Sequence, residues 1–295
     1  MNLYSINCGY FKLDGGAMFG VVPKSIWNKL NPADENNMCS WALRCLLIED
    51  EEKLILIDTG MGDKQSEKFF SHYYLHGDDT LDKSLAAAGF HKNDITDVFL
   101  THLHFDHCGG AIVRHGNELV PAFKNATYWS NKYHWQWATQ PNAREKASFL
   151  KENILPIEES GQLKFIRLPC EDQIGEGYTI YPPGLQKADF LPDFSILIAN
   201  GHTEAMMLPK IQYKEKTIVF MADLLPSYAH IPLPYVMGYD TRPLNTMVEK
   251  ELFLEEALEK DYILFFEHDT VHECCNLHQT EKGIRPKDFF KLADI

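Results

Sequence analysis

Apolar residues in this chain come in short runs separated by polar turns, and nearly every run has the length of a strand. The runs at 98–100, 194–199, 217–221 and 262–266 are uninterrupted, the pattern of strands covered on both faces. Further strands are predicted over 3–12, 17–22, 40–48, 53–58, 126–129, 163–168, 178–181 and 206–213. Gly15-Gly16 reads as the turn of an opening hairpin, 49–52 and 214–216 as the turns of two more, and 170–177 as a polar turn before 178–181. The stretch 28–37, polar and carrying Pro32, reads as a loop. Helices are predicted over 81–88, stopped by Gly89, and over 131–138, 143–151 and 244–259. The last has apolar residues at Leu244, Met247, Val248, Leu252, Leu254 and Leu258, with acidic residues between them, so that face is expected to pack inward. Strands alternating with helices, without a repeat, place the chain in the α/β class.

Composition narrows the partners. The longest apolar runs are about five or six residues, far below the ~20 that span a bilayer. No basic region followed by an apolar stretch opens the chain, so neither a signal peptide nor a membrane anchor is expected. A net charge of −14 argues against nucleic acid, whose binding is built from lysine and arginine on phosphates. The seven cysteines are an odd number with no framework spacing. Cys274 and Cys275 are adjacent, and Cys39 and Cys45 are six apart on one strand, so neither pair forms a bridge readily. A reducing compartment, the cytoplasm, is the expectation.

The chemistry concentrates at the end of the run Val98-Phe99-Leu100, where the sequence continues T-H-L-H-F-D-H-C-G-G. His102 and His104, two apart, share one side of an extended chain. Asp106 and His107 can be turned back toward the same point, with Gly109 and Gly110 allowing backbone that other residues disfavour. One histidine in such a place is ordinarily a hydrogen-bonded structural residue. Four metal-capable side chains in six positions are a metal site.

This motif resembles the metallo-β-lactamase-fold hydrolase superfamily, and four other landmarks fall in that superfamily's order. Leu54-Ile-Leu-Ile-Asp58-Thr59-Gly60 is similar to its strand with DTG, and Gly201-His202-Thr203 to the segment with a third histidine. Ala222-Asp223 resembles the element with a metal-bridging aspartate, and Glu267-His268-Asp269 the one with the last histidine. The resemblance implies a four-layer αββα sandwich. Because the landmarks run from Asp58 to His268, any cut between them would split the site, and residues 1–295 are expected to form one domain.

Carried over residue by residue, the resemblance implies that His102, His104 and His202 hold one metal. Asp106, His107 and His268 would hold a second, with Asp223 between them. Five imidazoles and two carboxylates without a thiolate suit two Zn²⁺ ions, with Mn²⁺, Fe or Co as alternatives. Between such ions a hydroxide attacks an electrophilic centre, with Asp106 orienting it as well as binding metal. Asp58 is either an outer partner of a liganding histidine or a cap for the turn Thr59-Gly60. Cys108 occupies a variable position of the motif and is not counted as a ligand. His72, His76, His115, His230, His272 and His278 match no landmark, and His134 with its aromatic neighbours Tyr128, Trp129, Tyr133, Trp135 and Trp137 reads as core.

The nearest branch is the lactonase and organophosphate-hydrolase group, so the expected activity is hydrolysis of a small ester or lactone. A phosphotriester or phosphodiester hydrolase is the runner-up. An iron-dependent sulfur dioxygenase, with one metal, is the alternative from another class, and an idle scaffold with a structural metal is a third. Glu204-Ala-Met206 departs from the Pro-Gly-x-His of many relatives, so the turn after His202 must differ; no basic C-terminal helical region supports the glutathione-dependent branch. The partner is a small molecule, and a homodimer is left open. The loop 224–242, stiffened by Pro226, Pro232 and Pro234, is expected to cover the metals, with Tyr228 donating to the substrate carbonyl.

Overall fold

The computed structural model describes residues 1–169 and 185–295. The first sheet opens with β1 (Asn2–Asp14), interrupted before β2 (Met38–Asp50) by the short helices α1 (Gly15–Phe19) and α2 (Lys24–Trp27). Then come β3 (Lys53–Ile57), α3 (Glu67–Phe70), α4 (Leu81–Ala87), β4 (Asp97–Phe99), α5 (Phe105–Cys108), β5 (Ile112–His115), β6 (Glu118–Pro121) and β7 (Thr127–Ser130). Helices α6 (Lys132–Thr139) and α7 (Lys151–Glu159) lead to β8 (Leu163–Phe165). The second half runs β9 (Gln186–Leu191), β10 (Phe194–Ala199), β11 (Met206–Tyr213), β12 (Lys216–Phe220), α8 (Pro243–Glu259), β13 (Ile263–Phe265), β14 (Cys274–Thr280) and β15 (Gly283–Phe290).

The order β1-β2-β3-β4-β7-β8 forms one sheet, and β15-β14-β13-β12-β11-β10-β9 forms the other. In the first, β3, β4, β7 and β8 run parallel, with helices on the connections. Strand alternation then sets the layers. Ile55 and Ile57 join Phe99 and the apolar residues of β10 to β13 in the interior between the sheets. Leu54 and Leu56 point the other way, onto Leu85 of α4, Trp135 of α6 and Ile157 of α7. On the second sheet, β12 and β13 are parallel and α8 makes the crossover, burying Phe253, Leu254 and Ala257. The four layers are αββα, as the landmarks implied.

Most expected elements are present, and three readings need correction. Residues 17–22 are not a strand. The Asp14 carboxylate accepts from the Ala17 amide at 2.8 Å, starts α1, and turns Met18 and Phe19 into a pocket with Trp27 and Trp41. Gly15 is required there because a Cβ would stand 2.3 Å from the Trp27 ring. Residues 143–151 are not a helix either. The Asn142 side chain takes the amides of Arg144 and Glu145, which closes a turn instead, and α7 starts only at Lys151.

The third correction concerns α8, whose predicted apolar stripe faces the core at Leu254 and Leu258 but not at its other end. Leu244, Val248 and Leu252 are 78%, 39% and 45% exposed, while Thr246, Glu249 and Lys250 are buried. Glu249 is turned inward because it accepts the amides of Asn200 and Gly201 at 2.7 and 3.0 Å. Lys250 donates to the carbonyls of Pro232, Leu233 and Tyr235. The buried amides of Asn200 and Gly201 and the carbonyls of the 232–235 loop take these two side chains as partners, and that demand outweighed the exposed part of the stripe. The predicted strand 178–181 and turn 170–177 lie outside the described residues. The hairpin β14–β15 and strand β9 went unpredicted.

Candidate metal centre

Each candidate ligand sits just past the end of a strand, where α/β folds gather their sites. After β4 the chain passes through His102 and His104 into α5, a single turn carrying Asp106 and His107. His202 follows β10, Asp223 follows β12 and His268 follows β13. The turn at α5 is held by close backbone packing. A Cβ on Gly109 would lie 2.0 Å from the Met61 carbonyl oxygen, and one on Gly110 2.2 Å from that of Thr59. Neither glycine has a positive φ, so the two glycines serve close approach and not the unusual backbone expected of them.

The fold brings all seven ligand candidates together. His102, His104, His202 and Asp223 converge as one group, and Asp106, His107 and His268 as another. Nδ1 of His104 lies 3.1 Å from Nε2 of His102 and 3.1 Å from Nε2 of His202. Nε2 of His107 and Nε2 of His268 are 3.2 Å apart. Asp223 reaches into both groups. Its Oδ2 is 3.0 Å from His202 Nε2 and 3.5 Å from His107 Nε2, while Oδ1 is 3.2 Å from His268 Nε2. Asp106 Oδ2 stands 3.8 Å from His107 Nε2 and 3.9 Å from His268 Nε2.

Residues this close together fit a pair of cations. Nitrogens face nitrogens across the cluster, and the buried Oδ1 of Asp223 has no hydrogen-bond partner. Imidazole and carboxylate donors without sulfur suit a borderline ion such as zinc.

Four of the five inward-facing imidazoles, those of His102, His107, His202 and His268, have a hydrogen-bond partner on the other nitrogen, and His104 has a carboxylate nearby. Thr101 Oγ1 is 3.1 Å from His102 Nδ1. Asp240 Oδ1 is 2.9 Å from His202 Nδ1, and the Ala42 carbonyl oxygen is 2.7 Å from His268 Nδ1. His107 Nδ1 lies between Asp58 Oδ2 at 3.1 Å and Glu267 Oε2 at 3.0 Å. Glu145 Oε1 stands 3.5 Å from His104 Nε2. Such partners fix which nitrogen points at the cluster. Asp58 therefore backs a candidate ligand, and also accepts from the Thr101 amide and hydroxyl at 2.8 and 2.6 Å.

The electrostatics follow from burial and these neighbours. Burial pushes His102 well below the usual histidine range, and the nearby His107 and His104 add to it. Burial acts the same way on His202, but Asp223 and Asp240 overcome it and hold it at about 10. Burial pushes Glu267 up to about 8, with His107 pulling against it. So much facing charge of both signs at one spot is a functional-site signature.

Beside the cluster a cavity of about 310 Å³ opens to solvent. Leu13, Met18, Phe105 and Met237 give it apolar walls, and Tyr73, Tyr239 and Asp106 its polar points. The end of the loop 224–242 contributes to this lining, as expected of it. Tyr228 does not. Its hydroxyl is 3.4 Å from the Leu30 carbonyl oxygen, and its ring is wedged edge-on against His272 and Phe289. The Pro-rich loop turns Tyr228 outward while its amide is held by Asp269 at 3.1 Å.

The remaining candidates stay out of the cluster. Cys108 is buried, donates to the Leu103 carbonyl at 3.3 Å and is pushed by burial up to about 12. His134 accepts from the Leu103 amide at 2.8 Å and so braces the chain between His102 and His104. His230 stacks on Phe19 at 4.7 Å between ring centres. Glu145, Asp240 and Glu267 were missed in the sequence reading. Only Glu267 and Asp240 carried a signal, the first beside His268 and the second inside the loop 224–242.

Comparison with known proteins agrees with this geometry. The family model described as "Metallo-beta-lactamase superfamily" matches residues 44–268. An N-acyl homoserine lactonase of Bacillus cereus is 25% identical over 263 residues, covering 84% of this chain and 88% of its own. One from Bacillus thuringiensis is 24% identical over 285 residues, covering 92% and 94%. Among solved structures, a probable metal-dependent hydrolase from Staphylococcus aureus superposes with a TM-score of 0.84 at 26% identity, over 98% of this chain and 96% of that one. AidC, a dizinc quorum-quenching lactonase, gives 0.72 at 24% identity over 98% and 95%. The hydrolase AbOPH gives 0.74 at 19% over 98% and 94%. The match begins within β2 and ends on His268, the last candidate ligand. This chain belongs to the metallo-beta-lactamase superfamily and is an enzyme of it.

Proposed function

We propose that the chain, acting as one catalytic domain, hydrolyses small lactones or esters, with N-acyl lactones as the first substrate class to test. The observation that carries this is Asp223, whose two oxygens reach separate ligand groups beside a cavity with apolar walls. The lactonase relatives supply the substrate class.

Two zinc ions held by the seven residues would supply a hydroxide at neutral pH and an electrophile for the carbonyl oxygen. Asp106 lies where the cluster meets the cavity. Its carboxylate orients the attacking water and accepts a proton from it as the water oxygen bonds to the carbonyl carbon, and it gives that proton to the leaving alkoxide as the C–O bond breaks. Leu13, Met18 and Met237 exclude water from the acyl chain. Burial, and then the Asp106 charge, push the Tyr73 phenol up to about 12. It therefore stays a protonated donor at neutral pH, available to the polar head of the substrate.

A complete second ligand group favours hydrolysis over a one-iron sulfur dioxygenase. Elemental analysis of the protein reconstituted with zinc, followed by a panel of lactones, thioesters and phosphate triesters, tests the reading. Two equivalents of metal and lactone turnover support it. One equivalent of iron, with oxygen uptake on a persulfide, overturns it, and a preference for phosphate triesters would move the substrate to the runner-up class.

A further inference from the structure

We infer that Cys8 and Cys45 are a thiol pair that a peroxide closes into a disulfide, loosening the hold on the second metal. Their Sγ atoms lie 3.6 Å apart, although the residues are 37 positions apart in the chain. Cys45 sits on β2 opposite Ile6, and Cys8 stands where β1 slips out of register with β2, between Asn7 and Tyr10. The slip interrupts the ladder there, which leaves Cys8 room to move toward its neighbour. The sulfurs of a disulfide stand about 2.05 Å apart, so about 1.5 Å of approach closes the bond. Cys39 and Cys108 instead donate to the carbonyls of Asn31 and Leu103, each at 3.3 Å.

The two thiols differ in access. Cys45 is fully buried, whereas Cys8 is partly exposed and lines a cavity of about 280 Å³ together with Thr59, Met61, His76 and Ile112. Cys8 therefore reacts first. Its thiolate attacks one peroxide oxygen, the O–O bond breaks, and Cys8 becomes a sulfenic acid as water leaves. Cys45 then attacks that sulfur: the S–S bond forms, the S–O bond breaks, and the Cys45 proton goes to the departing hydroxide to make a second water. Two electrons pass from the sulfurs to the peroxide, and a dithiol reductant reverses the change. Burial and then the neighbouring Cys8 hold the Cys45 thiol well above its usual range, so Cys45 stays inert until Cys8 has been oxidised.

The pair stands between two supports of the second ligand group. A Cβ on Gly60 would lie 3.0 Å from the Cys8 Cβ, so Cys8 packs directly on that glycine. The Gly60 carbonyl accepts the Gly110 amide at 3.0 Å, and the Thr59 amide and hydroxyl donate to the His107 carbonyl at 2.8 and 2.9 Å. On the other side, the strand that carries Cys45 also carries Ala42, whose carbonyl takes His268 Nδ1 and whose amide donates to the His268 carbonyl. Closing the bond changes the contact of Cys8 with Gly60 and draws β1 against β2. The backbone that holds His107 and His268 shifts with it.

Hydrogen peroxide treatment of the reduced, zinc-loaded protein tests the inference, with peptide mapping by mass for the cross-link and a chromogenic chelator for zinc. The wild-type chain should yield a Cys8–Cys45 peptide pair, and its second zinc should bind about 10-fold more weakly until dithiothreitol restores it. Cys45→Ser should stop at a sulfenic acid on Cys8, which dimedone labels, and Cys8→Ser should keep its zinc affinity under the same treatment. The effect on zinc rests on the two-metal reading, but the cross-link is mapped without reference to metal or substrate, so either can fail alone. Absence of the Cys8–Cys45 link overturns the inference. So does a link that leaves zinc affinity at its untreated value, or a zinc loss that persists in Cys8→Ser.

Discussion

Asp240 holds His202 by its outer nitrogen: Oδ1 lies 2.9 Å from Nδ1, with both side chains buried. Asp240 belongs to the loop after Asp223, and its carbonyl oxygen accepts from Arg144 at 3.1 Å. The loop thus fixes a metal-facing histidine as well as lining the cavity. Asp240→Ala should lower metal affinity by about 10–100-fold, the usual effect of losing an outer partner. Competition with a chelator measures it; affinity equal to wild type would mean that packing alone orients His202.

Tyr228→Phe should leave turnover on the best substrate within about 2-fold, because its hydroxyl points to Leu30 and away from the cavity. Tyr73→Phe should cut kcat by about 10²-fold with metal content intact, if the phenol donates to charge developing in the transition state. Equal loss in both variants would show that neither phenol is a specific donor.

His134 gives the protein an acid-sensitive brace. Burial pushes it down to about 4 from an ordinary 6.5, while its Nε2 accepts the Leu103 amide. Between those values the unfolded chain binds a proton that the folded chain refuses, so stability falls as pH drops from 6.5 toward 4. His134→Ala should cost about 1–3 kcal/mol at neutral pH by orphaning a buried amide. The gap between wild type and variant should narrow on acidification. Urea melts at several pH values decide it; a gap constant with pH would refute the titration.

Gly109→Ala should be far more damaging than its size suggests. The new Cβ would meet the Met61 carbonyl oxygen at 2.0 Å, so the turn carrying Asp106 and His107 must move. We expect about 1–3 kcal/mol of lost stability together with loss of the second metal equivalent. Two bound equivalents in a well-folded Gly109→Ala protein would be the contrary result.

The sequence showed the site better than it showed the architecture around it. The seven candidate ligands were legible because each follows a short buried strand, a pattern that local composition records. Their outer partners were not, since Glu145 and Asp240 reach their histidines from irregular segments far along the chain. Helix α8 was found, but Leu244, Val248 and Leu252 of its predicted inward face point outward. An apolar stripe is read as core by default, and only the folded chain shows that the Asn200, Gly201 and Leu233 backbone groups needed Glu249 and Lys250 instead. The helix at 143–151 failed for a related reason, as the Asn142 side chain captured the amides that would have begun it.

The two ligand groups are each divided between the sheets. His102 and His104 follow a strand of the first sheet and His202 one of the second; Asp106 and His107 come from the first, His268 from the second. Neither half of the chain can then complete a coordination sphere by itself. Ions in these positions would work as rivets through the sandwich, and two separately expressed halves should reunite only when metal is supplied, which would make reassembly itself a reporter of zinc.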